Sequence, residues 1–299
     1  MKLLIPGLIL LLAAAAQAAE TASYLDIGVG ARGLGMGGAY TALADDAHSV
    51  YWNPAGLARL EKREVAASHS ELGNSTRHDF LVYAHPMSQA VVAAALTYLN
   101  QGTIAGRDAA GLPTGGYGAS DAALAFAAGR KTELVDVGVS VKYLRSHIAS
   151  TEAQGLAVDA GVKRELPAGP GKVVLGAALR NLGPGLKYAD QRNDLPLRAA
   201  FGAAYRFSGG QALAVELQDG PRGAGMEGGA GGEFKAHEGV FLRLGYTSKS
   251  AAVAGSGFDA ARGLTVGVGL KKDGFSLDYA AQAAGELGST HRFTLSARF

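Results

Sequence analysis

The 299-residue sequence contains no cysteine, few aromatic residues and no strong excess of charge of either sign. The absence of cysteine excludes disulfides, cysteine-ligated zinc, iron–sulfur clusters, thiol chemistry and acylation at a lipoprotein cysteine. Aromatic residues make up 7% of the chain, and the formal net charge is +2. This near-balance gives no electrostatic reason to expect nucleic acid as a partner.

Glycine, by contrast, is abundant: the chain has 44 glycines, which is roughly twice the average usage of about 7%. The apolar fraction is 48%, but alanine supplies much of it. A water-soluble domain of this length normally fills its core with Leu, Ile, Val and Phe. The sequence is therefore short of the large side chains that a conventional core requires.

The first eighteen residues have the three-part layout of a secretory signal peptide. Met1-Lys2 supplies a positive start, residues 3–16 are an apolar run, and Ala16-Gln17-Ala18 is a small-x-small cleavage site. An uncleaved anchor is the alternative, but the run is too short to span a bilayer comfortably. We expect cleavage of residues 1–18 and export of the mature chain.

From about residue 63 onward, apolar residues alternate with small or polar ones, as in 135–143, 264–271 and 293–299. Successive side chains of a strand point to opposite faces, so each segment has one apolar and one polar face. About fourteen such segments are present, near 63–71, 77–86, 89–100, 118–130, 133–147, 152–166, 172–182, 195–207, 211–219, 225–235, 238–247, 258–271, 274–282 and 288–299. The larger connections are expected at 101–117, 183–194, 219–227 and 248–257.

This pattern fits either a soluble β-sandwich or a membrane β-barrel. A sandwich must bury its apolar face in a dense core, whereas a barrel turns that face to lipid and keeps small and polar residues inside. The even strand count, the span lengths and the signal peptide favour the barrel. We predict an all-β fold: a transmembrane antiparallel β-barrel of about 14 strands over 61–299.

The chain ends on Phe299, and Phe293 and Leu295 share its strand face. This ending resembles the C-terminal signal that the barrel-assembly machinery reads in bacterial outer-membrane proteins. A soluble edge strand that happens to end in Phe is the alternative.

Residues 24–60 lack the two-residue period. Asp45-Asp46 followed by Ala47, Val50 and Tyr51 predicts a short helix with acidic residues in its first turn. Asn53-Pro54 should end it, and a second short turn could run from Pro54 to Leu57. Residues 28–33 match the spaced glycines of a dinucleotide site, but no βαβ unit surrounds them, so tight packing is the better interpretation.

The motifs at 30–40 (GARGLGMGGAY), 44–47 (ADDA) and 51–57 (YWNPAGL) closely resemble the opening of the PorV/PorQ family, a branch of the FadL-like outer-membrane barrels. Further matches are the LRNLG at 179–183, the LRLGY at 242–246 and the strands up to Phe299. The resemblance covers essentially the whole mature chain. It implies a barrel of about fourteen strands with residues 19–60 folded into the lumen as a plug that contains a short helix. The residues carried over as the plug or gate motif are Arg32, Gly35, Gly37, Gly38, Asp45, Asp46, Trp52, Asn53, Pro54 and Gly56.

Two roles stay open within this motif. Arg32, Asp45 and Asp46 could form charge pairs in the plug or with the lumen wall, or they could simply be solvated. Trp52, the single tryptophan, could be a packing anchor or could contact a ligand.

The resemblance implies two functions in the bacterial outer membrane. The first is a non-catalytic scaffold or shuttle for protein export of the type IX kind, with secreted cargo or secretion subunits as partners. The alternative is FadL-like passive transport of hydrophobic small molecules, with the plug as gate. Outer-membrane lipid and the barrel-assembly machinery are expected partners in both cases. The seven dispersed histidines and the absence of a nucleophile elbow predict no enzyme, no metal and no cofactor.

Overall fold

The computed structural model describes residues 20–299 except 74, 223–224, 254–256, 259 and 284–288. Fourteen strands close into one antiparallel barrel, which confirms the predicted fold class. They are β1 (Glu64–Glu71), β2 (Arg77–Pro86), β3 (Val91–Arg107), β4 (Pro113–Lys131), β5 (Asp136–Ile148), β6 (Thr151–Ala168), β7 (Gly171–Leu182), β8 (Arg198–Arg206), β9 (Ala212–Gly220), β10 (Gly225–His237), β11 (Val240–Thr247), β12 (Leu264–Lys272), β13 (Phe275–Ala283) and β14 (Ser289–Arg298).

Each strand pairs with its neighbours in the sequence, and β1 pairs with β14 to close the sheet. The closing register runs from Glu64 opposite Arg298 to Glu71 opposite His291. Closure leaves no unpaired strand edge, so the barrel satisfies its backbone hydrogen bonds without water.

The alternation of the sequence becomes an inside and an outside. On β5, Ser140 and Lys142 are buried inside the barrel, while Val139 and Val141 are about half exposed on its outer surface. Large apolar residues cover the outside of the other strands as well, among them Leu81, Leu96, Phe126, Leu156, Phe201, Leu217, Leu244, Val266 and Leu295. The large apolar residues of the strands therefore form the outer surface of the barrel and not a conventional core.

The two ends of the barrel differ in their connections. At one end, here called the short-turn end, the strands are joined by two to five residues: 87–90, 132–135, 169–170, 207–211, 238–239 and 273–274. The opposite end, the long-loop end, carries the longest connections, 183–197 and 248–263. Both the entry to β1 and the end of β14 lie at the short-turn end.

The prediction of a loop at 101–117 is wrong. Strands β3 and β4 continue through it and pair as far as Arg107 and Pro113, so the hairpin extends well past its neighbours. The expected connection at 183–194 likewise contains a small ribbon, Leu186–Tyr188 paired with Gln191–Asn193. Short polar stretches rich in Gly and Thr can pair as strands when a partner is adjacent. Such strands have no alternation of apolar and polar residues, so the sequence pattern does not predict them.

Residues 20–63, here called the N-terminal segment, run inside the barrel from the long-loop end to the short-turn end. The segment contains two short α-helices, α1 (Ala31–Gly35) and α2 (Ser49–Trp52), and two 3₁₀ turns, Ser23–Asp26 and Pro54–Arg59. Thr21 donates its N–H to the carbonyl of Asp194 at the long-loop end, and Arg59 pairs with Asp136 at the other. No helix in the described ranges is long and apolar enough to cross a membrane.

Inward-facing glycines let the N-terminal segment approach the wall. A Cβ added to Gly138 on β5 would lie 2.2 Å from the carbonyl carbon of Pro54, and one on Gly161 would lie 2.0 Å from the side-chain oxygen of Asn53. These separations are far below van der Waals contact, so the positions require glycine for space and not for backbone conformation. Part of the glycine excess of the sequence is thereby explained.

The fit at Gly138 can be tested directly. We expect Gly138→Ala to destabilise the protein by about 1–3 kcal/mol, because the added methyl group overlaps the backbone at Pro54. Denaturant-induced unfolding of the refolded barrel measures this. Gly118→Ala is the control: its Cβ would meet nothing closer than 3.9 Å and should leave stability unchanged. Equal stability of both variants would show that the segment does not press on the wall at Pro54.

Candidate functional site

A cavity of about 210 Å³ lies inside the barrel, on the long-loop side of the N-terminal segment. The segment forms one wall of it and the inner face of the barrel forms the other. Its apolar lining comes from Ile27, Leu34, Trp52 and Leu72. Its polar lining consists of Asp26, Arg180, Glu216, Gln218, Glu227, Lys249, Arg292 and neighbouring hydroxyls and amides. We call it the first cavity.

Trp52 is held rigidly at the wall of the first cavity. Its indole Nε1 donates a 2.9 Å hydrogen bond to the carbonyl of Val29. Tyr51 and Tyr40 pack edge-on against it with ring centroids 5.0 Å and 5.9 Å away. Trp52 therefore packs the segment and lines the cavity at the same time, so the two sequence-based interpretations do not exclude each other.

Two buried guanidinium groups line the same cavity. Arg180 lies over Tyr51, 5.3 Å from the ring centroid, and donates one hydrogen bond to Gln218, which in turn donates to Glu227. Arg292 donates to the hydroxyl of Ser70 and to the carbonyl of Gly28, both neutral acceptors. The first cavity thus combines an apolar surface with buried positive charge.

A cluster of charges holds the outer part of the segment. Arg198 contacts Glu20 at 3.0 Å and Asp26 at 2.8 Å, and Lys249 also reaches Asp26. Burial raises the pKa of Asp26, but Lys249 and Arg198 outweigh this effect and lower it to about 2. Asp26 therefore stays charged at neutral pH, and these pairs hold residues 20–28 over the first cavity.

A second cavity of about 270 Å³ lies on the short-turn side of α1. Arg32 projects into it from α1 and bonds both oxygens of Glu233 on β10 at 2.8 Å. The same guanidinium reaches Asp45 at 2.7 Å, and Glu233 also accepts from Arg243. Arg32 therefore links α1 and the stretch around Asp45 to Glu233 on the barrel wall.

Removal of the Arg32 ion pairs should weaken the attachment of the N-terminal segment to the barrel wall. We expect Arg32→Ala to lower stability by about 2–3 kcal/mol, because Glu233 and Asp45 lose charge-assisted hydrogen bonds while partly buried. Arg32→Lys keeps the charge but cannot bond both carboxylate oxygens and should lose about half as much. Urea unfolding midpoints measure both variants.

Arg145→Ala serves as the matched control for these variants, since its pair with Glu152 is on the exposed surface. It should change stability by less than about 0.5 kcal/mol. If Arg145→Ala lowered stability as much as Arg32→Ala does, the proposed role of Arg32 in attaching the segment would be wrong.

Asp45 and Asp46 precede α2 instead of occupying its first turn, which corrects the predicted helix start. The helix begins at Ser49. Asp45 pairs with Arg32 and with Arg206, and Asp46 accepts from the hydroxyl of Tyr40 at 2.6 Å. Among the alternatives left open by the sequence, the structure has these carboxylates paired and not solvated.

Asn53 is fully buried, and its side chain ties the N-terminal segment to itself and to β6 of the wall. Its side-chain amide donates to the carbonyls of Thr41 and Val162, at 3.0 and 3.1 Å, and its oxygen accepts from the N–H of Ala55. Helix α2 ends at Trp52 as the Asn-Pro pair predicts, and Pro54 opens the following 3₁₀ turn. Gly56 is required for space, because a Cβ there would lie 2.3 Å from the carbonyl oxygen of Ala44.

The glycines of the motif after α1 lie against the other side of the barrel. Gly35 is packed against Arg243 and Gly267, and Gly37 against the backbone of Tyr246. Gly37 and Gly38 have positive φ values of 66° and 78°, a conformation that favours glycine. Gly38 lines the first cavity.

The sequence-predicted motif residues thus do not form one site. Gly37, Gly38 and Trp52 line the first cavity, Arg32, Asp45 and Asp46 line the second, and Gly35, Asn53, Pro54 and Gly56 line neither. The residues that sequence reasoning missed are the wall residues of the first cavity, above all Arg180 and Arg292. Strand parity contained a usable signal: Arg292 shares its strand face with Thr294 and Ser296, opposite Phe293 and Leu295.

Phe293, Leu295 and Phe299 are all at least half exposed on the outside, and their role in barrel assembly stays a prediction. Within the described ranges, no cluster of His, Asp or Glu could hold a metal ion.

A protein-family model with the description "Uncharacterised protein family (UPF0164)" matches residues 14–196, more than half of the chain. The chain belongs to this family. No curated protein matches the sequence.

Several solved structures share the fold of this UPF0164 member. The toluene transporter TbuX of Ralstonia pickettii superposes with a TM-score of 0.65 at 14% identity, covering 91% of this chain and 98% of that one. CymD, described as a monoaromatic hydrocarbon channel, gives 0.63 at 12%, covering 94% and 99%. A FadL homologue of Pseudomonas aeruginosa gives 0.60 at 12%, covering 91% and 98%. At these identities the likeness establishes a FadL-like fold and no more.

Proposed function

We propose that this protein is a passive transporter of hydrophobic small molecules in the bacterial outer membrane. The observation that carries the proposal is the first cavity, a partly open space inside a closed barrel with Trp52, Leu34 and Ile27 on its wall. A barrel interior built only for stability would fill this space with side chains or leave it to water. An apolar lining of this kind favours hydrophobic ligands.

The shared fold supports the same function, since TbuX is described as a toluene transporter and CymD as a monoaromatic hydrocarbon channel. It supports the transport alternative better than the protein-export role that the PorV/PorQ resemblance implies, and it favours a non-catalytic protein. In the outer membrane, short turns face the periplasm and long loops face the outside. The first cavity would then be on the outward-facing side.

The N-terminal segment acts as the gate in this proposal. Helix α1 lies between the two cavities, with Leu34 lining the first and Arg32 the second. A ligand that enters from outside meets the first cavity and is stopped there by α1. Movement of the segment would let it continue.

Filling the first cavity tests the proposed function. Thr290 lines it from β14, so Thr290→Trp should reduce uptake of labelled toluene by cells that carry the barrel about tenfold or more, through steric exclusion. Ser289→Trp, the neighbouring position on the exposed face, is the matched control and should leave uptake unchanged. Equal uptake by both variants and by cells without the protein would overturn the proposal.

A further inference from the structure

We propose that the first cavity is a site for compact aromatic carboxylates, with Arg292 as the residue that selects for the negative charge. The inference rests on the proposed transport function and specifies its ligand. It starts from a buried guanidinium that forms no ion pair with any carboxylate in the described part of the chain.

Arg292 is 6% exposed and lies on the inner face of β14. Its hydrogen bonds go to the hydroxyl of Ser70 and to the carbonyl of Gly28, neither of which carries charge. No carboxylate among the described residues forms an ion pair with it, whereas Arg32, Arg198, Arg243 and Arg298 each have one. A guanidinium buried without a counter-ion is unfavourable, so an anion arriving beside it is bound strongly.

Arg180 adds to the positive potential around the same rings. It is 3% exposed, and its Nε and Nη1 have no hydrogen-bond partner. It differs from Arg292 because Gln218 links it to the carboxylate of Glu227. Among the described cations that line the cavity, Lys249 pairs with Asp26 and Arg180 is linked to Glu227, whereas Arg292 has neither kind of acidic partner.

The rest of the lining defines the body of the ligand. Trp52, Leu34 and Ile27 offer an apolar surface, and an aromatic ring packs well against a fixed indole. The carboxylates of Asp26, Glu216 and Glu227 border the same cavity, which disfavours a second negative charge on the ligand away from Arg292. A single ring with one carboxylate meets all these constraints, and a cavity of about 210 Å³ is small for a long chain.

The single tryptophan makes the test direct. Purified full-length protein in phosphatidylcholine nanodiscs, without detergent, is titrated with toluene, benzoate and benzylamine while Trp52 fluorescence is recorded. We expect benzoate to bind about tenfold or more tightly than toluene, the size of one charge-assisted hydrogen bond, and benzylamine to bind more weakly than toluene. This comparison needs no variant.

Variants then assign the selectivity. Arg292→Gln should weaken benzoate binding about tenfold or more and leave toluene binding within about twofold. Arg298→Gln is the matched control, since Arg298 lies on the same strand but lines the second cavity, and it should leave the preference for benzoate unchanged. Heat-modifiable gel migration verifies that each barrel is folded.

The outcomes separate the two proposals. Toluene binding without any preference for benzoate overturns the anion site and leaves the transport function standing. A preference that survives in Arg292→Gln also overturns it. Failure of every compound to change Trp52 fluorescence counts against the cavity as a ligand site and hence against both.

Discussion

A disulfide between Gly35→Cys and Gly267→Cys is expected to abolish hydrocarbon uptake, and a reductant is expected to restore it. A Cβ on Gly35 would lie 3.3 Å from the Cα of Gly267, and a Cβ on Gly267 would lie 3.3 Å from the Cα of Gly35. The two backbones touch here, closer than the Cβ atoms of a disulfide, which are about 3.5–4.5 Å apart, so α1 must shift slightly away from β12 for the bond to form. The bond would fix α1 to β12 and so prevent the movement that passage between the two cavities requires.

The chain has no cysteine, so within one molecule the pair can form only the intended bond. Uptake of labelled toluene is measured before and after oxidation, and again after reduction. Each single cysteine variant controls for crowding beside Arg243, which touches both glycines. Full uptake by the oxidised, cross-linked protein would mean that α1 does not have to move and that ligands leave by another route.

The fold could be predicted from the sequence because the strands of a barrel alternate outward-facing apolar residues with inward-facing small or polar ones, with a period of two residues. At Val139, Ser140, Val141 and Lys142, outward-facing and inward-facing residues alternate one by one. Summed over fourteen segments, this weak local pattern gives both the strand number and the face of each residue. The outer part of the β3–β4 hairpin was not predicted because its small and polar residues do not alternate with large apolar ones.

The cavity was not accessible in the same way, since it is formed by residues far apart in the chain. Trp52 and Arg292 are separated by most of the sequence, and nothing local in either segment indicates the other. Helix α1 was missed for a related reason. Glycine is a poor helix former, and Ala31–Gly35 is stabilised by contacts such as the bond from the N–H of Ala31 to Thr294. Motif spacing cannot report contacts with a strand that closes the barrel more than two hundred residues later.

Replacement of Asn53 should cause the largest loss of stability among single substitutions in the segment. Asn53→Ala leaves the buried carbonyls of Thr41 and Val162 without their donor and removes the cap on the N–H of Ala55. We expect a loss of about 2–4 kcal/mol, since each unsatisfied buried group costs about 1–3 kcal/mol. Asn53→Asp keeps the acceptor for Ala55 but places a negative charge against both carbonyls, so it should be at least as damaging.

The consequence for permeability follows from where Asn53 lies. It fixes the turn from α2 to the Pro54–Arg59 3₁₀ helix against β6, near the short-turn end. If this attachment fails, the part of the N-terminal segment near the short-turn end detaches from the wall, and a hydrophilic reporter should enter cells faster. Asn100→Ala is the matched control, because that side chain only accepts one exposed N–H, from Gly102. Reporter entry and unfolding midpoints that are the same in Asn53→Ala and Asn100→Ala would show that the Asn-Pro turn does not hold the segment in place.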